Sequence, residues 1–586
     1  MAFTTETLDQ SLRRASAALL ARRHPDGYWE GRLSSSPLAT AVALCALADE
    51  AGLHAERFGK AFTYLSGTQN GDGGWGDTEL SKSNLAATLL VLSADALCNG
   101  LTYEQRVKAR AFTEKLGGLE KGLRRVYGAD LTFQTPIRMA AASAGLLPWH
   151  KVDALPFELA LAPRWLMGAL RLPMVSYAIP ALVCVGLARH GKAPGWMPVR
   201  WLREAVADRA LTLALKLQPS SGGYLEAIPI TAFCLAGLKA AGRGDHPVAQ
   251  NARKFLLGAQ REDGSWPVEA NLSVWNTTRA VEALDAAGLL HSALERAELN
   301  TTRDWLLAQQ TKGVSVYSDA NPGGWGWNHL SGSVPDVDDT SGAMLALRHL
   351  GLAEDAEALA AGAGWLMRLQ NRDGGWPTFC RGWNKLPFDR SAPDLTAHAL
   401  RAIFPLSLPY DPANSFGLTR SLFEKGYGYL SRAQRPDGSF APLWFGCEQA
   451  SDETNCTYGT ANVLLACAQR KAAETIRARA LSWLLGVQNT DGGFGGCKGA
   501  PSTAEETGLA LRALAACGVE PTEAACSRAA EWLIAHQRED GSWNPAPIGF
   551  YFAVLWYYEE LYPLCFGLSG LGALARALKA SGKGAP

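Results

Sequence analysis

The sequence lacks the charge imbalance that is typical of nucleic-acid-binding proteins. Its 586 residues include 56 Lys and Arg and 56 Asp and Glu, so the formal net charge is zero. A basic stripe is the electrostatic signature of a protein that contacts phosphate backbones. We therefore expect no nucleic-acid partner.

The sequence also lacks paired cysteines, a leader and a long apolar run. None of its 12 Cys forms a C-x-x-C pair, which favours reduced core thiols in a cytoplasmic protein over a disulfide or zinc framework. No basic stretch followed by an apolar core opens the chain, so no secretory signal is expected. The longest uncharged run, residues 172–188, contains two Pro and is slightly too short to cross a bilayer comfortably.

One unit recurs along the chain. A helical run ends in Gln, a short turn containing Asp-Gly follows, and an aromatic residue closes the unit, as at Trp75, Trp266, Trp376 and Trp543. Gly permits the tight turn, Asp accepts backbone N–H groups there, and the ring is expected to pack over the helix end. Such units are typical of helix-pair repeats.

The segments that follow these turns predict the fold class. They begin with a small polar residue and continue with Ala and Leu, for example in residues 84–90, 394–400 and 458–465. Helices this apolar must be buried on most sides, so we expect an all-α protein in which they form the inner ring of a barrel of helix pairs. At 586 residues the chain is too long for one core, and two or three domains are expected.

Three carboxylates within four residues, Asp336, Asp338 and Asp339, precede one of these apolar helices. Mutual repulsion should raise the pKa of at least one of them, and a carboxyl that stays protonated near neutral pH is a candidate general acid. The same residues also suit an ordinary helix N-terminus, where Pro fits the first turn and carboxylates complement the helix dipole. Both interpretations are open at this point.

Equivalent positions of consecutive repeats face one another around one end of an inner ring. Asp338, His398 and Tyr458 occupy such positions, and we expect their side chains to converge on one cavity. Trp275 and Glu506 are candidates to join them from the flanking repeats.

Between residues 155 and 198 the repeat lapses and the chain becomes apolar. One interpretation of this segment is a buried helical hairpin. The other is an exposed patch that dips into one leaflet of a membrane, with Trp165 and Trp196 at its rim. An apolar substrate drawn from a membrane would need such an entrance.

The motif Asp336-Val-Asp-Asp-Thr340, the Gln-to-Trp repeats and Leu395-Thr-Ala-His398 resemble those of the squalene-hopene cyclases, a family of class II terpene cyclases. The resemblance implies two α/α barrels with the active cavity between them. Residues 1–250 would form the second barrel, and residues 251–586 the catalytic barrel, with residues 1–15 as a candidate addition to it.

The resemblance also implies a mechanism. Asp338 would donate a proton to a terminal C=C of squalene or a similar linear isoprenoid, and carbocations would then close a hopene-like polycycle. His398 would hydrogen-bond the donor and, if protonated, lower its pKa, while Asp336 and Asp339 would tune it. Aromatic faces stabilise cations without quenching them. The candidates by motif position are Trp275, Trp327, Phe379, Tyr458, Phe550, Tyr551 and Tyr557.

The resemblance implies no metal or other cofactor and a peripheral, monotopic location on the cytoplasmic side of a membrane. The segment at about 155–198 would face that membrane surface, and a homodimer is left open.

Some positions depart from the family pattern. Asn276 stands where the family has Asp, and Glu506 where it has Gln, so the product and the substrate length are not fixed. The alternatives are a cyclase of another polyprenoid, a non-catalytic isoprenoid-binding protein, and a prenyltransferase-like enzyme that binds zinc through Asp, Cys and His.

Overall fold

The computed structural model describes residues 3–128, 130–162, 178–316, 320–353, 356–379, 387–404, 415–468, 470, 473–550 and 554–582, without the side chains of residues 415–419 and 550. These residues are mainly helical and form two rings of helix pairs, which confirms the expected all-α fold. Trp165 and the rest of residues 163–177, within the apolar segment, lie outside the described residues.

In the described part of the first ring, five inner helices pack each against the next, and the last packs against the first. They are Pro37–Leu47, Leu85–Cys98, Leu131–Ser143, Ile179–Lys192 and Ile228–Ala240. The outer layer consists of Ala55–Gly67, Tyr103–Lys115, Met197–Leu217 and Pro247–Ala259. Shorter helical segments are Ala48–Glu50, Gly118–Gly122, Leu123–Tyr127, Trp149–Lys151, Phe157–Leu161 and Tyr224–Glu226.

The second ring closes in the same way with six inner helices among the described residues. They are Ser273–Ala286, Val337–His349, Pro393–Ile403, Cys456–Cys467, Ala504–Ala516 and Leu561–Ser581. Its outer helices are Arg296–Ala308, Glu357–Leu369, Ser415–Ala433, Glu474–Gly486, Ala524–His536 and, from the beginning of the sequence, Thr5–Leu20. Smaller elements are the helical turns Leu290–Ala293 and Pro387–Asp389 and an antiparallel pair of strands, Ile548–Phe550 and Leu555–Tyr557.

The sequence pattern explains which helices lie inside. The inner helix Pro37–Leu47 is buried at every position except Cys45, as its lack of a polar face requires. By contrast, the outer helix Ala55–Gly67 is amphipathic and buries one stripe of side chains spaced three or four residues apart: Phe58, Ala61, Phe62 and Leu65.

The repeat turns tie neighbouring outer helices together. At the turn that ends in Trp376, the Gln370 side-chain amide donates to the carbonyl of Gly374 at 2.8 Å and to that of Leu422, on the next outer helix, at 3.0 Å. The Trp376 indole donates to the carbonyl of Leu366 at 2.8 Å, so the ring lies over the end of the preceding helix as predicted. Gly374 has a φ of +92°, which explains the requirement for Gly.

Gln537 makes the corresponding bonds to the helix Thr5–Leu20. Its amide donates to the Ser11 carbonyl at 3.0 Å and its Oε1 accepts from the Ser11 hydroxyl at 2.8 Å. We expect Gln537→Ala to lower the free energy of unfolding by about 1–2 kcal/mol, because buried partners lose their hydrogen bonds. Amide exchange measured by mass spectrometry should rise selectively in Thr5–Leu20.

The matched control is Gln69→Ala, which removes the same kind of turn bond without touching Thr5–Leu20. Equal exchange of Thr5–Leu20 in the two variants would contradict the expected role of Gln537.

Candidate active site

The acid cluster begins the inner helix Val337–His349. Asp336 is the N-cap residue, with extended backbone angles, and its Oδ1 accepts the backbone N–H of Asp339 at 2.8 Å. Its own N–H donates to the carbonyl of Trp325 at 3.0 Å, which fixes the helix start to the preceding repeat turn. Asp336 is thus the cap of this helix. All three carboxylates, Asp336, Asp338 and Asp339, line a cavity, and Asp338 has 16% of its side chain exposed.

Burial raises the pKa values of two of the three carboxyl groups. The pKa of Asp336 lies well above its ordinary value because of burial and, next, the neighbouring Asp339 carboxylate. Burial raises the pKa of Asp339 to about 7, although its hydrogen bond with Asp336 acts in the opposite direction. Raised pKa values were expected from mutual repulsion of the carboxylates, whereas burial is the larger cause and repulsion adds to it.

His398 comes from the neighbouring inner helix, and its Nδ1 lies 2.7 Å from Oδ1 of Asp338. Burial lowers the pKa of the His398 imidazole, and the hydrogen bond to Asp338 opposes this. The lowered pKa favours a neutral imidazole, whereas the sequence had left the protonation state of His398 open. The cation at this site is Arg279, whose Nη2 lies 3.2 Å from His398 Nε2. A lone Arg inside the apolar helix Ser273–Ala286 was the available sequence signal.

A cavity of about 320 Å³ lies between the two rings. Aliphatic and aromatic side chains form most of its wall. Leu38, Leu90 and Ile230 come from inner helices of the first ring, and Trp275 and Asp338 from those of the second.

The predicted aromatic residues that line this cavity are Trp275, Trp327, Phe379 and Tyr557. Tyr458 packs against Phe445, a lining residue, with 4.5 Å between ring centroids. Tyr458 is therefore one layer removed from the space that a substrate would occupy. The side chain of Phe550 and all of Tyr551 lie outside the described residues.

The cavity wall also contains groups that the sequence did not single out. Trp444 and Phe445 both line it, and the Trp444 indole donates to the Thr378 hydroxyl at 3.1 Å. The Glu269 carboxyl faces the cavity and accepts from the Trp327 indole at 3.2 Å. Burial raises the pKa of Glu269 well above its ordinary value.

Another predicted candidate, Glu506, lies elsewhere, and the structure shows one Cys at the start of an inner helix that the sequence analysis did not identify. Glu506 does not line the cavity but sits in the first turn of Ala504–Ala516, where its Oε1 accepts from the Asn455 amide at 2.6 Å. Cys456 begins an inner helix, the position that a zinc ligand would need, but its Sγ lies 3.2 Å from Nη1 of Arg435. Among the described residues, no group of three or more His, Cys, Asp or Glu could hold a metal ion.

Comparison with known proteins places this site in a family. The family model for the squalene-hopene cyclase C-terminal domain matches residues 271–576, and that for the N-terminal domain matches residues 12–184. The chain belongs to the squalene-hopene cyclase family. It is 28% identical to the probable squalene-hopene cyclase of Sinorhizobium fredii, with 92% of each chain covered. It is also 28% identical to the squalene-hopene cyclase of Alicyclobacillus acidocaldarius, over 91% of this chain and 92% of that one.

Squalene-hopene cyclases are not the sole relatives. Over 51% of this chain and 50% of the other, it is 30% identical to a drimenyl diphosphate synthase from Streptomyces showdoensis. The solved structure of ent-copalyl diphosphate synthase from Streptomyces platensis matches with a TM-score of 0.55 at 19% identity, covering 98% of this chain and 99% of that one. This match shows a shared fold.

Glu506 leads to a prediction about how the stability of this squalene-hopene cyclase family member depends on pH. Burial raises its folded-state pKa to about 7, above the unfolded value, so its contribution to stability is present at low pH and lost as the pH rises through about 7. Gln cannot ionise. We expect Glu506→Gln to be more stable than the wild type by about 1–3 kcal/mol at pH 8, and the difference to shrink towards pH 5.

Thermal unfolding measured by fluorescence at several pH values tests this expectation. Glu262→Gln, at an exposed position, is the control. Unfolding temperatures of Glu506→Gln and wild type that run parallel from pH 5 to pH 8 would contradict it.

Proposed function

We propose that this protein is a class II terpene cyclase that protonates a terminal C=C of squalene or a similar linear isoprenoid and cyclises it to a hopene-like polycycle. Membership of the squalene-hopene cyclase family supports an enzyme that cyclises isoprenoids. The observation that carries the proposal is the 2.7 Å contact between Asp338 and His398 at the wall of an apolar, aromatic cavity.

Asp338 is the proposed proton donor. An alkene is a very weak base, so the proton must come from a group shielded from water whose conjugate base is stabilised at once. The O–H bond of Asp338 breaks while the π pair of the terminal alkene forms a C–H bond, and positive charge appears on the adjacent carbon. The N–H of His398 donates to the carboxylate that remains.

Cyclisation then requires a cavity wall with no nucleophilic group that would capture the carbocations. The π pair of each following C=C attacks the cation, closes a ring and passes the charge along the substrate. The ring faces of Trp275, Trp327, Phe379 and Tyr557 stabilise these cations electrostatically. Loss of a proton from the last cation gives a product with the mass of the substrate, whereas capture of water adds one water.

The chemistry of the wall favours a neutral substrate. No Lys or Arg lines the cavity among the residues that the structure describes. An isoprenyl diphosphate carries several negative charges, which a protein ordinarily binds through Arg, Lys or a metal ion. A hydrocarbon such as squalene needs none of these.

Replacement of the donor tests the function. We expect metal-free, detergent-solubilised protein to convert squalene to an isomer, and Asp338→Asn to abolish conversion while unfolding at nearly the same temperature. In D₂O the product should carry one deuterium from the exchangeable carboxyl, as read by mass spectrometry. Glu506→Gln, a buried carboxyl outside the cavity, should stay active.

Near-normal turnover by Asp338→Asn would refute the assigned donor. Turnover of farnesyl or geranylgeranyl diphosphate, with none of squalene, would leave the acid in place and overturn the choice of substrate.

We also propose contact with a membrane surface through an apolar patch. Trp196, Met197, Trp201 and Leu202, at the start of an outer helix of the first ring, are exposed, Trp196 by 77% and Trp201 by 63%. Trp side chains favour the boundary between lipid headgroups and acyl chains. In the described residues, Leu561–Ser581 is long and apolar enough to cross a membrane, but 83% of its most apolar window is buried in the second ring.

The membrane proposal predicts weaker vesicle binding by the double variant Trp196→Ser, Trp201→Ser. Co-sedimentation with phosphatidylglycerol vesicles should fall roughly tenfold, because two interfacial anchors are removed. The control is Tyr103→Ser, which removes a 79% exposed aromatic residue from another outer helix. Equal binding by the two variants would contradict the proposed surface.

A further inference from the structure

Arg279 contacts the proposed acid through one intermediary. Its side chain is 7% exposed, and its Nη2 lies 3.2 Å from His398 Nε2, while His398 Nδ1 lies 2.7 Å from Asp338. The guanidinium carbon also sits 4.5 Å from the centre of the Trp275 ring, a second contact that holds the guanidinium beside the imidazole. Arg279, His398 and Asp338 therefore form a continuous series of contacts from the interior of the second ring to the cavity.

The hydrogen-bond donors and acceptors of Arg279, His398 and Asp338 determine where the protons lie in this series of contacts. A guanidinium has five N–H donors and no acceptor. The Nε2 atom of His398 must therefore be the unprotonated nitrogen and accept from Arg279. In a neutral imidazole the proton then sits on Nδ1 and is donated to Oδ1 of Asp338.

The surroundings keep Arg279 charged and in place. Its Nη1 lies 2.9 Å from Glu282, and the same carboxylate also binds Arg512 at 2.6 Å and Arg401. Three arginines thus share one carboxylate. The acid helix passes close by at Gly342, where a Cβ atom would lie 3.3 Å from Arg279 Nη2.

We propose that Arg279 is a positioning residue that holds His398 as the neutral tautomer protonated at Nδ1, so that Asp338 keeps its own proton for the alkene. This inference rests on the proposed function. The pair His398 and Asp338 can hold the transferable proton in two ways, as neutral imidazole with carboxylic acid or as imidazolium with carboxylate. The second arrangement requires a proton on Nε2, against the Arg279 cation, and leaves no acid to protonate a substrate.

The ionisable and charged groups that face Arg279 and His398 come from every neighbouring inner helix. They are Glu282 on the Arg279 helix, Asp338 and Asp339 on the acid helix, Arg401 on the His398 helix, and Tyr458, Arg512 and Cys565 on the remaining three. Arg279 is the one cation among these that contacts the imidazole. Its replacement by an uncharged side chain frees Nε2 to take up the proton.

Three variants test whether Arg279 positions His398 or only fills space in the core. Arg279→Met removes the charge and the donor, Arg279→Lys keeps both, and Arg512→Met removes a different arginine from Glu282 without touching His398. We expect Arg279→Met to lower kcat for squalene roughly 100-fold with KM changed less than about threefold, because the acid and not the binding wall is affected. Arg279→Lys should stay within about tenfold of the wild type, and Arg512→Met should keep its activity even where its unfolding temperature falls.

Nitrogen-15 NMR of histidine-labelled full-length protein, with His398→Gln to assign the signal, reads the tautomer without any turnover. In the wild type the His398 ring should show a protonated Nδ1 and a bare Nε2 at neutral pH, and in Arg279→Met a protonated Nε2. A protonated Nε2 in the wild type, or a folded Arg279→Met with wild-type kcat, would overturn the inference. Absence of squalene turnover by the wild type, with the predicted tautomer present, would instead count against the proposed function alone.

Discussion

Exclusion of water from the Asp338 carboxyl group is the constraint on which the proposed chemistry depends. A carboxylic acid protonates an alkene only where no stronger base, such as water, competes for the proton. The two rings meet this constraint with apolar inner helices such as Pro37–Leu47, which leave few polar side chains to face the space between them. The turns that end in Trp then hold the outer layer against these helices.

An apolar interior makes a buried charge costly, and the second ring compensates several of its charges locally. Asp336 and Asp339 sit at a helix N-terminus, where a backbone N–H stabilises a charge on Asp336 and raised pKa values limit the negative charge of both groups. Glu282 collects three arginines that would otherwise be unpaired in the inner ring. The Glu282 cluster therefore lies close to Asp338 and His398, while most of the cavity wall is apolar.

Local and periodic features could be predicted from the sequence, and contacts between repeats only in part. The residues that specify each Gln-to-Trp turn and each Ala-rich helix lie close together in the sequence, so the helix-pair fold could be predicted from them. The approach of His398 to Asp338 followed from equivalent positions in adjacent repeats. The contact of His398 with Arg279 did not, because Arg279 lies 119 residues away and two helices across the ring. The position of Tyr458 behind Phe445, one layer further from the cavity, likewise depends on the path of residues 446–457 between them.

The pairing of Thr5–Leu20 with the last helices has a consequence for biosynthesis. Ser11 binds Gln537 across 526 positions of sequence, so the helix Thr5–Leu20 cannot make this contact until the chain has been synthesised as far as Gln537. The first ring has all its described inner helices by Ala240 and can close during translation. The helix Val337–His349, by contrast, belongs to a ring that stays open until Leu561–Ser581 has been synthesised and can complete it. The dry cavity is thus the last part of the molecule to form.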